Sequence, residues 1–317
     1  MSVFTTLSFD EVRDWLHEFA VGELVELKGI AAGITNTNYF VTTNQARYVL
    51  TIFERNETEE LGYFVRLMSH LAKCGVLCPQ PVLDKVGNAL HLLHGKPTLM
   101  VSCLKGSDIA IPTNEDVKQV ATALAEMHLA GQTFNEVGFN QRDHDWRART
   151  AQKVMTFLLP VDQSMLQNEL EYQSSVDVSN LPHGVVHGDL FRDNVLFDDG
   201  KLSGIIDFYY ACDDILLYDV AIAVNEWCLH HNGPDIGTMD EDKMRLFLDA
   251  YQAMRPFLER EQAFWPAMLR RAALRFWLSR LDDFHFPPDG ELTHTKDPNH
   301  FKKMLEYYRD IADVSGN

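Results

Sequence analysis

The sequence from residue 185 to residue 208, VVHGDLFRDNVLFDDGKLSGIIDF, decides the fold of this chain. An apolar strand ends in a polar turn that carries Asp189, and Asn194 stands immediately before the next apolar run. The tetrad DDGK at 198–201 lies between two apolar runs and therefore predicts a β-hairpin, whose second strand ends at Asp207. Folding this hairpin is expected to bring the three acceptor side chains towards one edge.

These three residue types are the ones that phosphoryl transfer requires. A carboxylate must orient and deprotonate the attacking hydroxyl, and hard oxygen ligands must hold magnesium at the triphosphate. We therefore predict that Asp189 is the catalytic base and that Asn194 and Asp207 are magnesium ligands. An H-G-D triplet alone has little meaning, so the prediction depends on the spacing of all three residues at strand ends.

The same residues carry a resemblance to a known superfamily. His187-Gly188-Asp189, followed by Asn194 and then by Asp207 thirteen residues later, resembles the protein-kinase-like superfamily. Protein kinases have Arg in the middle of the first motif and Gly after the metal-binding Asp. This chain has Gly188 and Phe208-Tyr209 at those places and is similar to aminoglycoside phosphotransferases and choline kinases.

The resemblance covers nearly the whole chain and implies several properties. It implies ATP and Mg²⁺ as cofactors, a small-molecule acceptor, and a structural role for His187 in bracing the catalytic loop. His128 also fits this branch. It further implies an α+β, two-lobed protein-kinase-like fold, with a small N-terminal antiparallel β lobe and a larger, mainly helical C-terminal lobe.

The pattern along the chain agrees with two lobes. Ser8 to Glu11 has the form of a capping box and opens a short amphipathic helix. Antiparallel strands are predicted from Leu24 to residue 52 and again at 89–93 and 98–103, with one helix between them. We expect residues 1–103 to form the nucleotide-binding lobe and residues 104–317 to form the catalytic and substrate-binding lobe. Helices are predicted there at 115–130, 146–158, 165–174, 221–230, 242–254 and 265–282.

The segment from Gly29 to Asn38 stands where a kinase has its nucleotide-covering loop. It is not a G-x-G-x-x-G motif, and its glycines could simply serve a hairpin turn, but its amides and polar side chains suit phosphate. The connector from Val101 to Leu104 is expected to lend backbone groups to adenine, as hinge segments do in the superfamily. The predicted nucleotide contacts are Gly33, Thr35, Asn36, Asn38, Val101, Cys103 and Arg55.

One departure from the superfamily pattern lies on the strand after this segment. A cationic side chain should project there towards phosphate and pair with a helix Glu, but Thr51 stands at the position. Glu59 or Glu60 would be the helix partner, although acidic residues favour the first turn of a helix in any case. Three basic residues are candidates for the missing cation, with Arg55 preferred: Arg55, Arg47 and Lys28.

Four stretches narrow the resemblance to the bacterial homoserine kinases of the choline-kinase-like branch, which implies a step of threonine biosynthesis. Two other classes stay open: a kinase of the same branch that acts on choline, another amino alcohol or an aminoglycoside, and an inactive regulatory homologue. The stretches are GITNTNYF at 33–40, YVLTIFE at 48–54, VHGDLFRDN at 186–194 and NEWC at 225–228.

An acceptor with an ammonium and a carboxylate needs an acidic and a basic contact. Asp214 and Glu226 follow the magnesium Asp in the region where relatives bind cationic substrates. Arg192 and the helix that carries Arg270, Arg271 and Arg275 could meet the carboxylate, and Trp227 could line the cleft. Taken singly, each charged residue is better explained by a salt bridge or a surface position, and large aromatics at helical spacing are usually core residues.

Composition excludes other classes of partner. The chain has 28 Lys and Arg against 46 Asp and Glu, a net charge of −18, which argues against binding to the phosphate backbone of nucleic acid. It has no basic-then-apolar start and no run of about 18 uncharged apolar residues, so we expect a cytoplasmic protein with no membrane association. The five scattered cysteines are expected to be free thiols. No protein partner is predicted.

Overall fold

The computed structural model describes residues 4–30, 36–54, 58–287 and 296–315. These residues group into two compact units. The first comprises residues 4–106 and 203–209, and the second comprises the described residues of 107–202, 210–287 and 296–315. Gly33, Thr35 and Arg55, which the sequence predicts to contact the nucleotide, lie outside the described residues.

The first unit opens with the predicted helix α1 (Phe9–Leu16). The capping box is formed: the hydroxyl of Ser8 accepts the amide of Glu11 at 3.2 Å, and the Glu11 carboxylate accepts the amide of Ser8 at 2.8 Å. The helix buries Val12, Trp15 and Leu16 in the core beneath the sheet. The apolar face of α1 therefore packs in the core, as the amphipathic pattern predicted.

The sheet of the first unit has five strands: β1 (Leu24–Ile30), β2 (Thr37–Thr43), β3 (Arg47–Ile52), β4 (Leu90–Leu93) and β5 (Lys96–Ser102). All pairs are antiparallel, in the order β1-β2-β3-β5-β4, so the predicted meander is confirmed. Helix α2 (Thr58–Lys73) connects the two groups of strands, as predicted. Val41, Leu50 and Met100 are fully buried at the centre.

The second unit is mainly helical within its described residues. Its helices are α3 (Asn114–Gly131), α4 (His144–Val154), α5 (Pro160–Ser175), α6 (Leu216–Trp227), α7 (Glu241–Met254), α8 (Glu259–His285) and α9 (Asn299–Ser315). Helix α9 was not predicted. Helix α6 begins five residues before the predicted start, because it is buried on all sides and so lacks the polar face that produces a helical period.

Four short strands lie within or beside the stretch at residues 185–208. β6 (His183–Val186) pairs antiparallel with β9 (Cys212–Ile215), and β7 (Val195–Asp198) pairs with β8 (Lys201–Ile205). The predicted turn of the second pair is present, with φ of 49° at Asp199 and 73° at Gly200. Both values are left-handed, as two-residue hairpin turns require.

The predicted fold class is confirmed: a small antiparallel sheet with a mainly helical second unit. All five cysteines are free, as expected. None of the described helices is long and apolar enough to span a membrane.

Candidate active site

The loop at residues 187–194, called the catalytic loop because it carries the predicted base, begins where β6 ends, and its backbone requires a glycine. Gly188 has a φ of +74°, and a Cβ at this residue would lie 2.9 Å from the carbonyl oxygen of Tyr210. A side chain would thus meet both backbone strain and a steric clash with another backbone segment. This contact gives a physical reason for Gly in the H-G-D triplet.

A buried carboxylate on α6 fixes the loop. Asp219 accepts the amide of His187 at 2.7 Å and the amide of Gly188 at 2.9 Å, and Nε2 of His128 lies 3.1 Å from the same carboxylate. Burial opposes ionisation, but hydrogen bonds from His128 and from the loop outweigh it, so the pKa of Asp219 lies below its ordinary value. Nδ1 of His128 in turn lies 2.6 Å from the hydroxyl of Tyr251.

Sequence reasoning did not find Asp219. The available signal was a single carboxylate inside the apolar run LLYDVAIAV at 216–224. A charged residue is rarely fully buried without a partner, so its place in that run indicated a specific structural contact. His128, which the sequence did single out, is one of its partners.

Asp189 and Asn194 lie together. Nδ2 of Asn194 donates to the carbonyl oxygen of Asp189 at 2.8 Å and lies 3.3 Å from its carboxylate. The hydrogen bonds of this side chain thus use its nitrogen, which leaves the amide oxygen as an acceptor for another group. His187 supports the loop through Nδ1, which accepts the amide of Asp189 at 3.3 Å. Arg275 approaches the Asp189 carboxylate to 3.5 Å.

Asp207 follows β8 and belongs to the first unit. Its φ is +63°, a left-handed conformation that non-glycine residues seldom adopt. Such backbone strain is found preferentially at functional sites, and Asp207 presents an exposed carboxylate. Its convergence with Asp189 and Asn194 stays a prediction.

Thr51 is part of a neutral hydrogen-bonded group in the first unit. Its hydroxyl donates to Oδ1 of Asn38 at 2.8 Å and is hydrogen-bonded to the hydroxyl of Tyr209. Burial raises the pKa of Tyr209, and the charge of Asp207 raises it further. The ring of Tyr209 packs edge-on against Phe53, with centroids 4.9 Å apart.

The other predicted nucleotide contacts have ordinary structural partners. Oδ1 of Asn36 accepts the amide of Glu54 at 3.4 Å. Val101 lies in β5 opposite Val49, and Cys103 donates its amide to the carbonyl of Arg47 at 3.1 Å. These contacts neither support nor exclude nucleotide binding, so the role of these residues stays a prediction.

Two of the three candidates for the missing cation, Arg47 and Lys28, lie on β3 and β1. The Arg47 guanidinium lies 3.8 Å over the ring of Phe40, and Lys28 is exposed on β1. Sequence reasoning missed Lys96, which forms an ion pair with Glu54. Burial disfavours the charge on Glu54, but bonds from Lys96 and two threonines outweigh it and its pKa is lowered.

Two of the predicted substrate contacts neutralise each other. Nε of Arg192 lies 2.6 Å from the Glu226 carboxylate, and its other end donates to the carbonyl of Ala110. Trp227 is fully buried, and its indole donates to the carbonyl of Leu190 at 2.9 Å, so it supports the catalytic loop from the core. This placement gives no support to the prediction that Trp227 lines a cleft.

Asp214 and Arg275 lie close to a cleft beside the catalytic loop. Asp214 accepts Nδ2 of Asn140 at 2.5 Å and lies 3.6 Å from a guanidinium nitrogen of Arg271. This cleft lies within the second unit, at the end of β6 and beside the loop that carries Asp189. Its lining residues are Asn140, Gln141, Arg142, Val186, Gly188, Tyr210, Cys212, Tyr218 and Arg275.

Known proteins with solved structures share the fold. An amicoumacin kinase, solved in complex with AMP-PNP and Ca²⁺, superposes with a TM-score of 0.70 at 15% identity, covering 96% of this chain and 92% of that one. A choline kinase from Cryptosporidium parvum gives 0.68 at 14% identity, covering 97% of both chains.

Closer relatives match by sequence. A homoserine kinase of Methylobacillus flagellatus is 52% identical over 307 residues, which are 97% of this chain and 95% of the relative. One from Neisseria meningitidis is 44% identical over 305 residues, 96% of this chain and 99% of the relative. The model of the phosphotransferase enzyme family matches residues 26–257, which contain Asp189, Asn194, Asp207 and Asp219. The chain therefore belongs to the phosphotransferase enzyme family.

Proposed function

We propose that this chain transfers the γ-phosphoryl group of ATP to the hydroxyl of L-homoserine and releases O-phospho-L-homoserine and ADP, a step of threonine biosynthesis in the cytoplasm. The observation that carries the proposal is the loop at Asp189, whose backbone is fixed by the buried Asp219 and whose carboxylate lies beside Asn194. The identity to homoserine kinases over nearly the full chain supports the choice of acceptor.

Asp189 would act on the acceptor. Its carboxylate accepts a hydrogen bond from the attacking hydroxyl and takes the proton as the new oxygen–phosphorus bond forms and the bond to ADP breaks. Asn194 holds the backbone carbonyl of Asp189, and Asp219 holds the two preceding amides. The base is therefore oriented before the substrate binds, which lowers the entropic cost of the reaction.

The residues present fit a divalent cation. The free amide oxygen of Asn194 and the carboxylate of Asp207 are hard oxygen donors of the kind that Mg²⁺ takes, and we propose them as its ligands. Magnesium, when bound, neutralises charge on the phosphates. Residues 1–103 would bind the nucleotide through the contacts predicted above, and residues 104–317 would bind the acceptor.

A substrate panel tests the proposal. Purified protein is supplied with Mg²⁺ and ATP, and ADP release is followed with L-homoserine, choline and kanamycin as acceptors, with the product identified by phosphorus NMR. We expect the highest kcat/KM for L-homoserine. A higher kcat/KM for choline or for kanamycin would show that the acceptor assignment is wrong. Nucleotide binding without turnover of any acceptor would favour the inactive homologue.

A further inference from the structure

Two arginines face the cleft beside the catalytic loop from different parts of the second unit. Arg142 precedes α4, and its guanidinium lies 4.7 Å over the ring of Trp146 and 5.3 Å over that of Tyr210. Arg275 on α8 lies 3.7 Å over the ring of Phe276 and 5.5 Å over that of Tyr210. Both cations thus contact the ring of Tyr210, and aromatic contacts hold both side chains in place.

The arginines beside this cleft are only partly neutralised by nearby carboxylates. The side chain of Arg275 is 5% exposed, and its ion-pair partner Asp189 lies at 3.5 Å, longer than a charge-assisted hydrogen bond. Nε of Arg271 is buried with no hydrogen-bond partner among the described residues. Burial, with the charge of Arg271 as the next contribution, lowers the pKa of Arg147 to about 10. Buried cations are costly unless they are paired, so this group favours an anion.

Arg270, also on α8, is by contrast fully paired with a carboxylate. Arg270 donates from Nε to both carboxylate oxygens of Glu169 at 3.1 Å and from Nη2 to one of them at 2.5 Å. Near the cleft, the Asp214 carboxylate accepts from Asn140 and from the amide of Ile215, and it lies 3.6 Å from Arg271. Among the described residues, Arg142 and Arg275 form no comparable carboxylate fork: Arg142 donates to the carbonyl of Gln141 at 3.3 Å, and the charge of Asp283 acts on both arginines.

We propose that Arg142 and Arg275 together bind the carboxylate of the acceptor. Planar guanidinium groups recognise carboxylates through paired hydrogen bonds, and both line the same cleft next to Gly188. Arg275 also contacts Asp189, so an acceptor carboxylate held there places a hydroxyl a few carbons away beside the base. The proposal rests on the proposed function and adds Arg142, which the sequence did not indicate.

The test compares L-homoserine with 3-aminopropan-1-ol, which has the same ammonium and hydroxyl but lacks the carboxylate. Wild-type protein should prefer L-homoserine by roughly a thousandfold in kcat/KM, because the analogue offers no carboxylate to the buried Arg275 or to the half-buried Arg142. Arg142→Met should lower kcat/KM for L-homoserine by about a hundredfold while changing that for the analogue by less than about threefold. Arg275→Met should lower the rates with both acceptors, since it also contacts Asp189, and should reduce their ratio by at least about tenfold.

Matched controls are available on the same elements. Arg149→Met on α4 and Arg260→Met on α8 remove exposed arginines and should leave both acceptors unchanged. Thermal melting checks each variant, and Arg275→Lys keeps the buried charge while removing the planar fork, so a partial loss of preference is expected even if Arg275→Met does not fold.

The outcomes separate the two proposals. Equal losses for both acceptors in Arg142→Met, or a change confined to the KM for ATP, would overturn the carboxylate site and leave the homoserine kinase activity standing. A wild-type protein that turns over 3-aminopropan-1-ol as well as L-homoserine would overturn the carboxylate site and leave phosphorylation of L-homoserine standing, whereas no turnover of L-homoserine would overturn the proposed function.

Discussion

The catalytic loop of the second unit and the Thr51 strand of the first unit hold their polar groups in different ways. The loop amides are bound by a fully buried carboxylate, Asp219, which is also paired with His128. Thr51 is bound by the neutral side chains of Asn38 and Tyr209. Breaking a contact to a buried charge leaves that charge unsatisfied, whereas a neutral hydrogen bond contributes about 1 kcal/mol. The strongest restraint therefore lies beside Asp189, the proposed base.

The largest expected effect is that of replacing Asp189, the carboxylate that the loop positions. Asp189→Asn should lower kcat by about a thousandfold, since the amide cannot accept the proton of the acceptor hydroxyl. The melting temperature should fall only modestly, because the backbone contacts of Asp189 are kept and the ion pair that is lost, to Arg275, is long at 3.5 Å. Steady-state kinetics and thermal melting measure the two quantities.

Asp193→Asn provides the matched control in the same loop. Asp193 is exposed and pairs with Lys296 at 3.1 Å, so its substitution should leave kcat within about twofold, as is usual for exposed ion pairs. A near-normal kcat in Asp189→Asn would contradict the assignment of the base.

The second prediction addresses the restraint itself. Asp219→Asn should lower the free energy of unfolding by about 3 kcal/mol, because it removes the buried charge that binds two loop amides and His128. Asp249→Asn, an exposed carboxylate on α7, is the control and should have no measurable effect. Chemical denaturation at pH 7 compares the variants with wild type.

The pH dependence of this deficit has a definite sign. The pKa of Asp219 is lowered on folding, so its contribution is present above the unfolded value of about 3.9 and is lost as the pH falls through the lower folded value. The difference between wild type and Asp219→Asn should therefore be constant from about pH 5 to 8 and shrink below about pH 4. A difference that grows towards low pH would contradict a charged Asp219.

The third prediction separates a clash from backbone strain. Gly188 and Gly200 have nearly equal φ values of 74° and 73°, but only Gly188 has a neighbour, the Tyr210 carbonyl, in the position of a Cβ. Gly200→Ala should cost about 1 kcal/mol of backbone strain. Gly188→Ala should cost about 2–3 kcal/mol and lower kcat, since the clash moves the loop that carries Asp189. Equal losses in both variants would remove the steric argument for Gly188.

The same contrast explains what could be predicted from the sequence. Asp189, Asn194 and the hairpin turn are close together in the chain, so their spacing alone indicated strand ends and a loop. Asp219 lies about thirty residues further on, and its role depends on how α6 packs. Helix α6 has no polar face, so no pattern marked its start. Arg142 was missed for a related reason, because only the fold brings it beside Tyr210 and the cleft.

The smallest expected effect is that of replacing Thr51, which belongs to the neutral hydrogen-bonded group of the first unit. Thr51→Val keeps the shape of a buried β-branched side chain on β3 and removes the hydroxyl that donates to Asn38. The free energy of unfolding should fall by about 1–2 kcal/mol, because the hydrogen bonds to Asn38 and to Tyr209 are both lost. Chemical denaturation measures the change, and it should not depend on pH between 5 and 8, since neither partner is charged there.

Thr42→Val is the control for this variant. Thr42 lies on β2 opposite Arg47 and makes no side-chain hydrogen bond in the described part of the first unit, so its substitution should be close to neutral. If Thr51→Val costs as much as Asp219→Asn, the neutral group restrains its strand as firmly as the buried charge restrains the catalytic loop. The two regions would then differ in the charge of their polar groups but not in how strongly those groups stabilise the fold. If instead Thr51→Val changes the KM for ATP while stability falls by the expected amount, the group around Asn38 contacts the nucleotide, and Thr51 stands in place of a cation because the phosphates are held by neutral donors.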